Sequence, residues 1–156
     1  MIDSKRRAAQ REAIELLYFG YRAFTDRADR ILASRGLGRV HHRVLYFVGR
    51  NPGIGVQGLL AILGVSKQAL NAPLRRLVAL KLVAMRDAPQ DRRVTQLRLT
   101  GAGARLEERL TGTQMEHLLG VFHAAGAPAQ AGWTAVMRGL AATVQAPPAG
   151  GPSRRA

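Results

Sequence analysis

The chain has 156 residues, 47% of them apolar, and it contains no cysteine, which excludes disulfides, thiolate metal sites and thiol redox chemistry. It carries 24 Lys and Arg against 10 Asp and Glu, a formal charge of +14. Residues 39–100 alone carry 11 basic side chains against two acidic ones. A chain that is merely rich in arginine would spread its charge more evenly, so this concentration points to a polyanionic partner.

Apolar residues at helical spacing predict a long amphipathic helix over residues 10–34, ended by Gly36 and Gly38. A second helix is expected over residues 39–50, where Asn51-Pro52-Gly53 stops it. A short third helix over residues 56–63 comes next, followed by Gly64-Val65-Ser66. Gly64 suits a helix C-terminus, and Ser66 suits the N-cap of a fourth helix over residues 67–80. The spacing therefore predicts a helix, a tight turn and a second helix.

A β-hairpin is predicted directly after this unit. Residues 82–86 and 94–99 are expected to be its strands, and the charged segment 87–91 its turn. Thr100 then caps a helix over about residues 102–124, and Pro128 starts a last helix that runs to about Val144. The Pro- and Gly-rich segment 145–156 is predicted to be a disordered tail.

The fourth helix has two different sides. Leu70, Leu74 and Leu77 cluster on one side, which we assign to the core. The opposite side is polar apart from one small alanine, a composition that suits a DNA major groove. Gln and Asn pair bidentately with adenine, Arg pairs with guanine, and a small residue allows contact with a thymine methyl. The predicted major-groove residues are Ser66, Lys67, Gln68, Asn71, Ala72, Arg75 and Arg76.

Pro73 is the discordant residue of this helix. It has no N–H to donate to the Ala69 carbonyl, and an internal proline costs a helix roughly 3 kcal/mol. We expect a kink over residues 69–73 in a helix that is otherwise continuous.

The hairpin tip carries Asp91, Arg92 and Arg93. An arginine at such a tip can enter a narrow minor groove, where the negative potential is enhanced. A carboxylate two residues away can hold the guanidinium in place. The alternative for this tripeptide alone is an ordinary solvated turn.

The segment from Gly38 to Gly103 resembles the MarR (multiple antibiotic resistance regulator) family in the order and spacing of its motifs. The matching residues are Pro52-Gly53, Leu60-Ala61, Leu63-Gly64-Val65-Ser66-Lys67-Gln68-Ala69-Leu70, Leu74-Arg75-Arg76-Leu77, Leu82-Val83, Asp91-Arg92-Arg93 and Leu97-Arg98-Leu99-Thr100-Gly101-Ala102-Gly103. Pro73 departs from the commonest family pattern, which has a helix former there.

This resemblance implies a mainly α fold with a small β-hairpin wing. It divides the chain into an N-terminal dimerisation helix (1–38), a winged helix-turn-helix domain (39–100), C-terminal dimerisation helices (101–144) and the tail. It also implies a homodimer whose two winged domains bind successive major grooves of a pseudo-palindromic operator on double-stranded DNA. In the family pattern Arg93 enters the minor groove, oriented by Asp91, and Arg92 contacts a phosphate.

Many members of the family are repressors that release DNA when a small ligand, often an aromatic acid, binds between the dimer helices and the winged domain. Residues that could line such a pocket are Tyr18, Tyr21, Arg22, Phe24, His41, His42 and Tyr46. The aromatic residues also have helical spacing, so core packing is the alternative for them.

Other classes of protein are weighed against this interpretation. No phosphate loop, nucleophile motif or carboxylate pair predicts an enzyme or a cofactor. Six residues could contribute to a metal site, but their spacing does not support one: Asp26, Asp29, His41, His42, His117 and His123. With no membrane-length apolar run and no signal peptide, we expect a cytoplasmic protein. A non-specific nucleoid or architectural DNA-binding protein is the alternative from another class.

Overall fold

The computed structural model describes residues 3–144, so the predicted tail at 145–156 lies outside the described residues. In chain order the elements are α1 (Ser4–Ala33), α2 (Arg39–Arg50), β1 (Ile54–Gly55), α3 (Val56–Leu63), α4 (Lys67–Ala79), β2 (Val83–Ala88), β3 (Asp91–Leu99), α5 (Gly101–Ala125) and α6 (Ala127–Ala142). None of the helices within residues 3–144 is long and apolar enough to cross a membrane. The predicted order of helices with one hairpin is confirmed.

Helices α2 and α3 have the predicted bounds, whereas α1 begins six residues earlier than predicted. Its first two turns are rich in Lys, Arg and Ala, which favour a helix but show no apolar period. Strand β1 was not predicted, because two residues are too short for an alternating pattern. It pairs with β3 through Ile54 opposite Leu97, which gives a three-stranded antiparallel sheet in the order β1-β3-β2.

The predicted turn at 87–91 is wrong, because the ladder between β2 and β3 extends further along the chain. Asp87 pairs with Thr95 and Ala88 pairs with Asp91, leaving a turn of Pro89 and Gln90. The three residues of β3 between these two pairs, 92–94, have no partner in β2. The wing tip therefore contains a three-residue bulge on β3, which bends the ladder locally.

One apolar core joins the C-terminal part of α1 to α2, α3, α4, the sheet and the first half of α5. The leucine side of α4 lies in it, as predicted, with Leu70, Leu74 and Leu77 all buried. The other large, fully buried side chains are Leu32, Val44, Leu45, Val48, Leu59, Val83, Leu97 and Leu110. This core holds α4 by one side and leaves the opposite side free.

The end of the wing and the start of α5 are joined at Thr100 and Gly103. The Thr100 hydroxyl accepts the Gly103 N–H at 3.0 Å, the predicted cap, and donates to the Lys81 carbonyl at 2.6 Å. A Cβ atom on Gly103 would lie 1.9 Å from the Leu82 carbonyl oxygen. The absence of a side chain at Gly103 therefore allows α5 to lie directly against the main chain that precedes β2.

Many large apolar side chains of α1, α5 and α6 are exposed among residues 3–144. Every residue from 4 to 23 of α1 is exposed, and so is most of α6, which packs on α5 through Phe122 and Trp133. We call this surface the exposed apolar face. Its large side chains are Ile14, Leu16, Leu17, Tyr18, Phe19 and Tyr21 of α1, Met115, Leu119 and Val121 of α5, and Trp133, Val136 and Leu140 of α6. Contiguous apolar surfaces of this kind mark interaction sites.

Candidate nucleic-acid interface

The outer side of α4 is a free polar surface. The helix follows Gly64, which has the left-handed φ of +64°, and it begins after Ser66, whose Oγ accepts the Ala69 N–H at 3.2 Å. All seven predicted major-groove residues are exposed. We call the side formed by Gln68, Ala72 and Arg75 the reading face. It is presented by a helix whose other side is fixed in the core, so its geometry is rigid.

Helix α4 continues from Lys67 to Ala79 through Pro73, as predicted. The proline is half-buried between the leucine side and the reading face. The buried leucines on both sides of it stabilise the helix, and this packing offsets the hydrogen bond that Pro73 lacks. The expected kink at residues 69–73 stays a prediction.

Arg76 extends away from the centre of the reading face. Its Nη2 atom lies 3.9 Å from the point where a Cβ atom on Gly36 would stand, next to the turn between α1 and α2. Its charge is also close enough to help lower the pKa of His41, after the larger effect of burial. The guanidinium thus lies beside the turn that follows the N-terminal helix.

Asp91 fixes the wing bulge through the main chain. Its Oδ1 atom accepts the backbone N–H of Arg93 at 2.9 Å. Among residues 3–144 the ion pairs are Arg30–Asp26 and Arg39–Asp29, so Asp91 and the Arg93 guanidinium are not paired here, and the orienting role of Asp91 stays a prediction. One carboxylate oxygen thus holds the main chain of the bulge, while the Arg93 guanidinium is exposed.

The basic side chains of α4 and the wing are not neutralised within the described residues. Lys67, Arg75, Arg92 and Arg93 are exposed, and no carboxylate in residues 3–144 pairs with any of them. The phosphates of a DNA duplex bind basic side chains that are not already paired with carboxylates. The charge excess of residues 39–100 is therefore available to a partner.

A cavity of about 340 Å³ lies between α1, α2 and α5. Four of the seven predicted pocket residues line it, namely Tyr21, Phe24, His42 and Tyr46. The sequence pattern missed the polar part of the lining, Asp29, Arg39, Arg43 and Thr111, which carries no local motif. Arg39 pairs with Asp29 at 2.8 Å, and Arg43 donates to the Tyr21 hydroxyl at 2.8 Å. These two contacts join α1 to α2 across the cavity.

The other three predicted pocket residues lie elsewhere. The Arg22 guanidinium stands over the Tyr18 ring at 5.8 Å on the exposed part of α1. His41 caps α2, because its Nδ1 accepts the Gly38 N–H at 2.9 Å. Helical spacing put Tyr18 and Tyr21 on one stripe, but α2 and α5 cover only the C-terminal half of α1. Tyr18, Arg22 and His41 do not line this cavity, and their place in an effector pocket stays a prediction.

His42 is buried at the base of the cavity, with its Nε2 atom 3.3 Å from the Thr111 hydroxyl oxygen. Burial lowers its pKa, and the carboxylates of Glu107 and Asp29 oppose that effect only in part. Burial also lowers the pKa of His41. The fold therefore favours the neutral form of both imidazoles.

We expect the stability of the fold to fall as the pH drops below about 6.5, the ordinary histidine value. Below that pH the unfolded chain binds protons that the folded His41 and His42 do not, so stability is lost as the pH falls toward the folded pKa values. Urea unfolding between pH 7.5 and 5.5 measures the effect. His42→Gln should have a flatter pH profile than the parent, and an unchanged profile would contradict the assignment.

An exposed polar helix after a tight turn, with a basic bulged hairpin beside it, defines the chain as a winged helix-turn-helix protein. Residues 35–94 match the family model described as MarR family. The transcriptional regulator PetP of Rhodobacter capsulatus is 42% identical over 130 residues, which cover 83% of this chain and 78% of PetP. The chain belongs to the MarR family of DNA-binding transcriptional regulators, which confirms the resemblance read from its motifs.

Solved structures show the same fold. A MarR family transcription regulator, SP03579, superposes with a TM-score of 0.77 at 17% identity, over 90% of this chain and 93% of that one. The MarR family protein Rv2887 of Mycobacterium tuberculosis, in complex with p-aminosalicylic acid, superposes with a TM-score of 0.59 at 23% identity, over 81% and 96%. These similarities confirm the predicted fold, a mainly α protein with a small β wing.

Proposed function

We propose that the protein is a sequence-specific regulator that binds a pseudo-palindromic operator as a homodimer, and that it is a repressor released by a small ligand. The observation that carries this proposal is the reading face of α4, exposed beside a wing whose arginines have no carboxylate partner among the described residues. Its site of action is the cytoplasm, where bacterial DNA lies.

The reading face supports base recognition in the major groove. Gln68 offers an amide for adenine, Arg75 a guanidinium for guanine, and Ala72 a methyl-sized surface that lets the helix approach closely. Ser66, Lys67 and Asn71 stand at the beginning and flank of the helix, where side chains reach phosphates or neighbouring bases. The core behind α4 fixes the helix, so binding requires little reorganisation of this part.

The wing supports contact with the adjacent minor groove. The bulge at residues 92–94 moves both arginines out of the ladder, and the Asp91 carboxylate holds its shape through the main chain. A guanidinium presented in this way fits the enhanced negative potential of a narrow, A·T-rich groove. We assign the minor groove to Arg93 and a phosphate contact to Arg92.

The exposed apolar face supports the homodimer. It is formed by the N- and C-terminal helices, outside the winged domain, and polar solvent would otherwise cover large side chains such as Leu17 and Trp133. Burial of apolar surface contributes about 25 cal/mol per Å². Pairing of two copies through these helices places two reading faces on one duplex, which suits a pseudo-palindrome.

The cavity between α1, α2 and α5 supports a ligand that is aromatic and anionic. Tyr21, Phe24 and Tyr46 offer ring surfaces, and the Arg43 guanidinium, which pairs with no carboxylate among residues 3–144, offers positive charge. Rv2887 is described in complex with p-aminosalicylic acid, a compound of this class. The cavity lies between α1 and the winged domain. A ligand bound in it would therefore change the contacts between α1 and that domain.

A competition experiment tests the proposed function. The labelled promoter fragment of the protein's own gene is incubated with protein and an excess of unrelated competitor DNA. A sequence-specific regulator is expected to keep the fragment shifted, and selection from random DNA should return a palindromic site. A non-specific architectural protein would lose the fragment to the competitor and return no common site, which would overturn the proposal.

We predict that Arg75→Ala weakens binding to the selected operator by about 1–3 kcal/mol, roughly 5- to 150-fold, because the contact with guanine is lost. The base preference should relax at one position of each half-site. Fluorescence anisotropy with a set of single-base operator variants measures both effects. Arg109→Ala, which removes the same charge from the exposed side of α5, is the matched control. Equal losses on operator and random DNA would show that Arg75 contacts only phosphate.

A further inference from the structure

Among the seven predicted major-groove residues, Arg76 is the one whose side chain lies beside another element of the fold. On a helical wheel it lies on the flank of α4, between the reading face and the core. Its Nη2 atom is 3.9 Å from the point where a Cβ atom on Gly36 would stand. Gly36 has the left-handed φ of +65°, and a Cβ atom there would be in ordinary van der Waals contact with the guanidinium.

The turn beside Arg76 is the C-terminal end of α1. The Leu37 N–H donates to the Leu32 carbonyl at 3.0 Å across the left-handed glycine, and Leu37 itself is buried in the core. The C-terminus of a helix carries a partial negative charge, so a cation is stabilised beside it. α1 is 30 residues long, and the turn that follows it lies beside the Arg76 side chain at Gly36.

We propose that Arg76 is a positioning residue: it ties α4 to the turn at the end of α1 and so sets the angle at which the reading face meets DNA. The inference rests on the proposed role of α4 as the reading helix. Its partner is the dimerisation helix of the same chain rather than a base. The two reading faces of a dimer must fit the same operator. A link between α4 and α1 therefore fixes α4 within its subunit, and it also fixes the position of the two reading faces relative to each other.

The proposal separates Arg76 from Arg75, its neighbour in sequence. Arg75 lies at the centre of the reading face and Arg76 beside Gly36, so the same substitution at the two positions should give different signatures. His41 is a reporter for the contact, because the Arg76 charge helps to lower the pKa of its imidazole. The His41 ring is also held by Gly38 at the start of α2, which keeps it in place as a probe.

The experiment compares Arg76→Ala, Arg76→Lys and Arg75→Ala with the full-length parent. Affinity is measured on the selected operator, on single-base variants and over a salt series, and the His41 pKa is measured by NMR without DNA. For Arg76→Ala we expect a uniform loss of roughly two- to fivefold, an unchanged base preference, an unchanged salt slope and a raised His41 pKa. Arg76→Lys should restore most of the affinity and of the pKa effect.

Three results would overturn the proposal. A salt slope reduced by about 0.9 per subunit would make Arg76 a phosphate contact. A relaxed preference at one base pair would make it a base contact. An unchanged His41 pKa, or an unchanged affinity, would show that the link to α1 is absent or has no bearing on binding. If the parent itself shows no sequence preference, the proposed function fails, whereas the His41 pKa still decides whether Arg76 lies against α1.

Discussion

Replacing Gly103 by alanine is expected to lower the free energy of unfolding by at least about 3 kcal/mol, because a Cβ atom has no room between α5 and the main chain before β2. The atom it would meet, the Leu82 carbonyl oxygen, is 1.9 Å from the ideal Cβ position and cannot move without breaking its hydrogen bonds. That oxygen accepts the Thr100 N–H at 3.1 Å. The clash therefore lies at the junction that joins the wing to the C-terminal helices.

Urea unfolding followed by circular dichroism measures this loss. Gly120→Ala is the matched control, since Gly120 is in the same helix and nothing lies within 4 Å of a Cβ atom built there. On helix propensity alone this control should be neutral or more stable than the parent, by up to about 1 kcal/mol. Similar stability for the two variants would mean that α5 does not lie against Leu82 as described.

Raising the salt concentration from 50 to 200 mM is expected to weaken operator binding by about 10³- to 10⁵-fold, if each dimer contacts about 6–10 phosphates. The physical reason is the release of counterions from DNA by the unpaired basic side chains of α4 and the wing. Fluorescence anisotropy over a salt series gives the slope of log affinity against log salt. A flat response would contradict the electrostatic account of the interface as a whole.

The same measurement locates the phosphate contacts. Arg92→Ala should reduce the steepness of the slope by about 0.9 for each half-site, as expected for one lost phosphate. Arg109→Ala, outside the interface, should leave it unchanged. A slope that responds equally to both variants would mean that general charge, rather than the wing, controls the salt dependence.

The local part of the fold could be predicted from the sequence because it depends on short-range chemistry. The bounds of α2 and α3 follow from apolar spacing and from breakers such as Gly53 and Gly64. The caps at Ser66 and Thr100 were predicted for the same reason, since an N-cap acts over three residues. The buried leucine side of α4 needed only the helical period.

The features that sequence reasoning missed depend on residues distant in the chain. Asp29 and Arg39 meet across the cavity only because α1 and α2 pack together, and no spacing rule relates them to Thr111 in α5. β1 exists only because β3 provides a partner. His41 was expected in a pocket, since nothing in its neighbourhood indicated that an imidazole would cap a helix that begins after glycine.

The exposed apolar face has a consequence for how folding depends on protein concentration. Residues 4–20 of α1 are all exposed in the single chain, and a helix in a protein owes most of its stability to packing. If a second subunit covers this half of α1, the folding of that half is coupled to the association of the two subunits. The melting temperature should then rise with protein concentration. Operator occupancy would then increase more steeply than in proportion to the amount of protein, so that a cell with few copies would leave the operator almost empty.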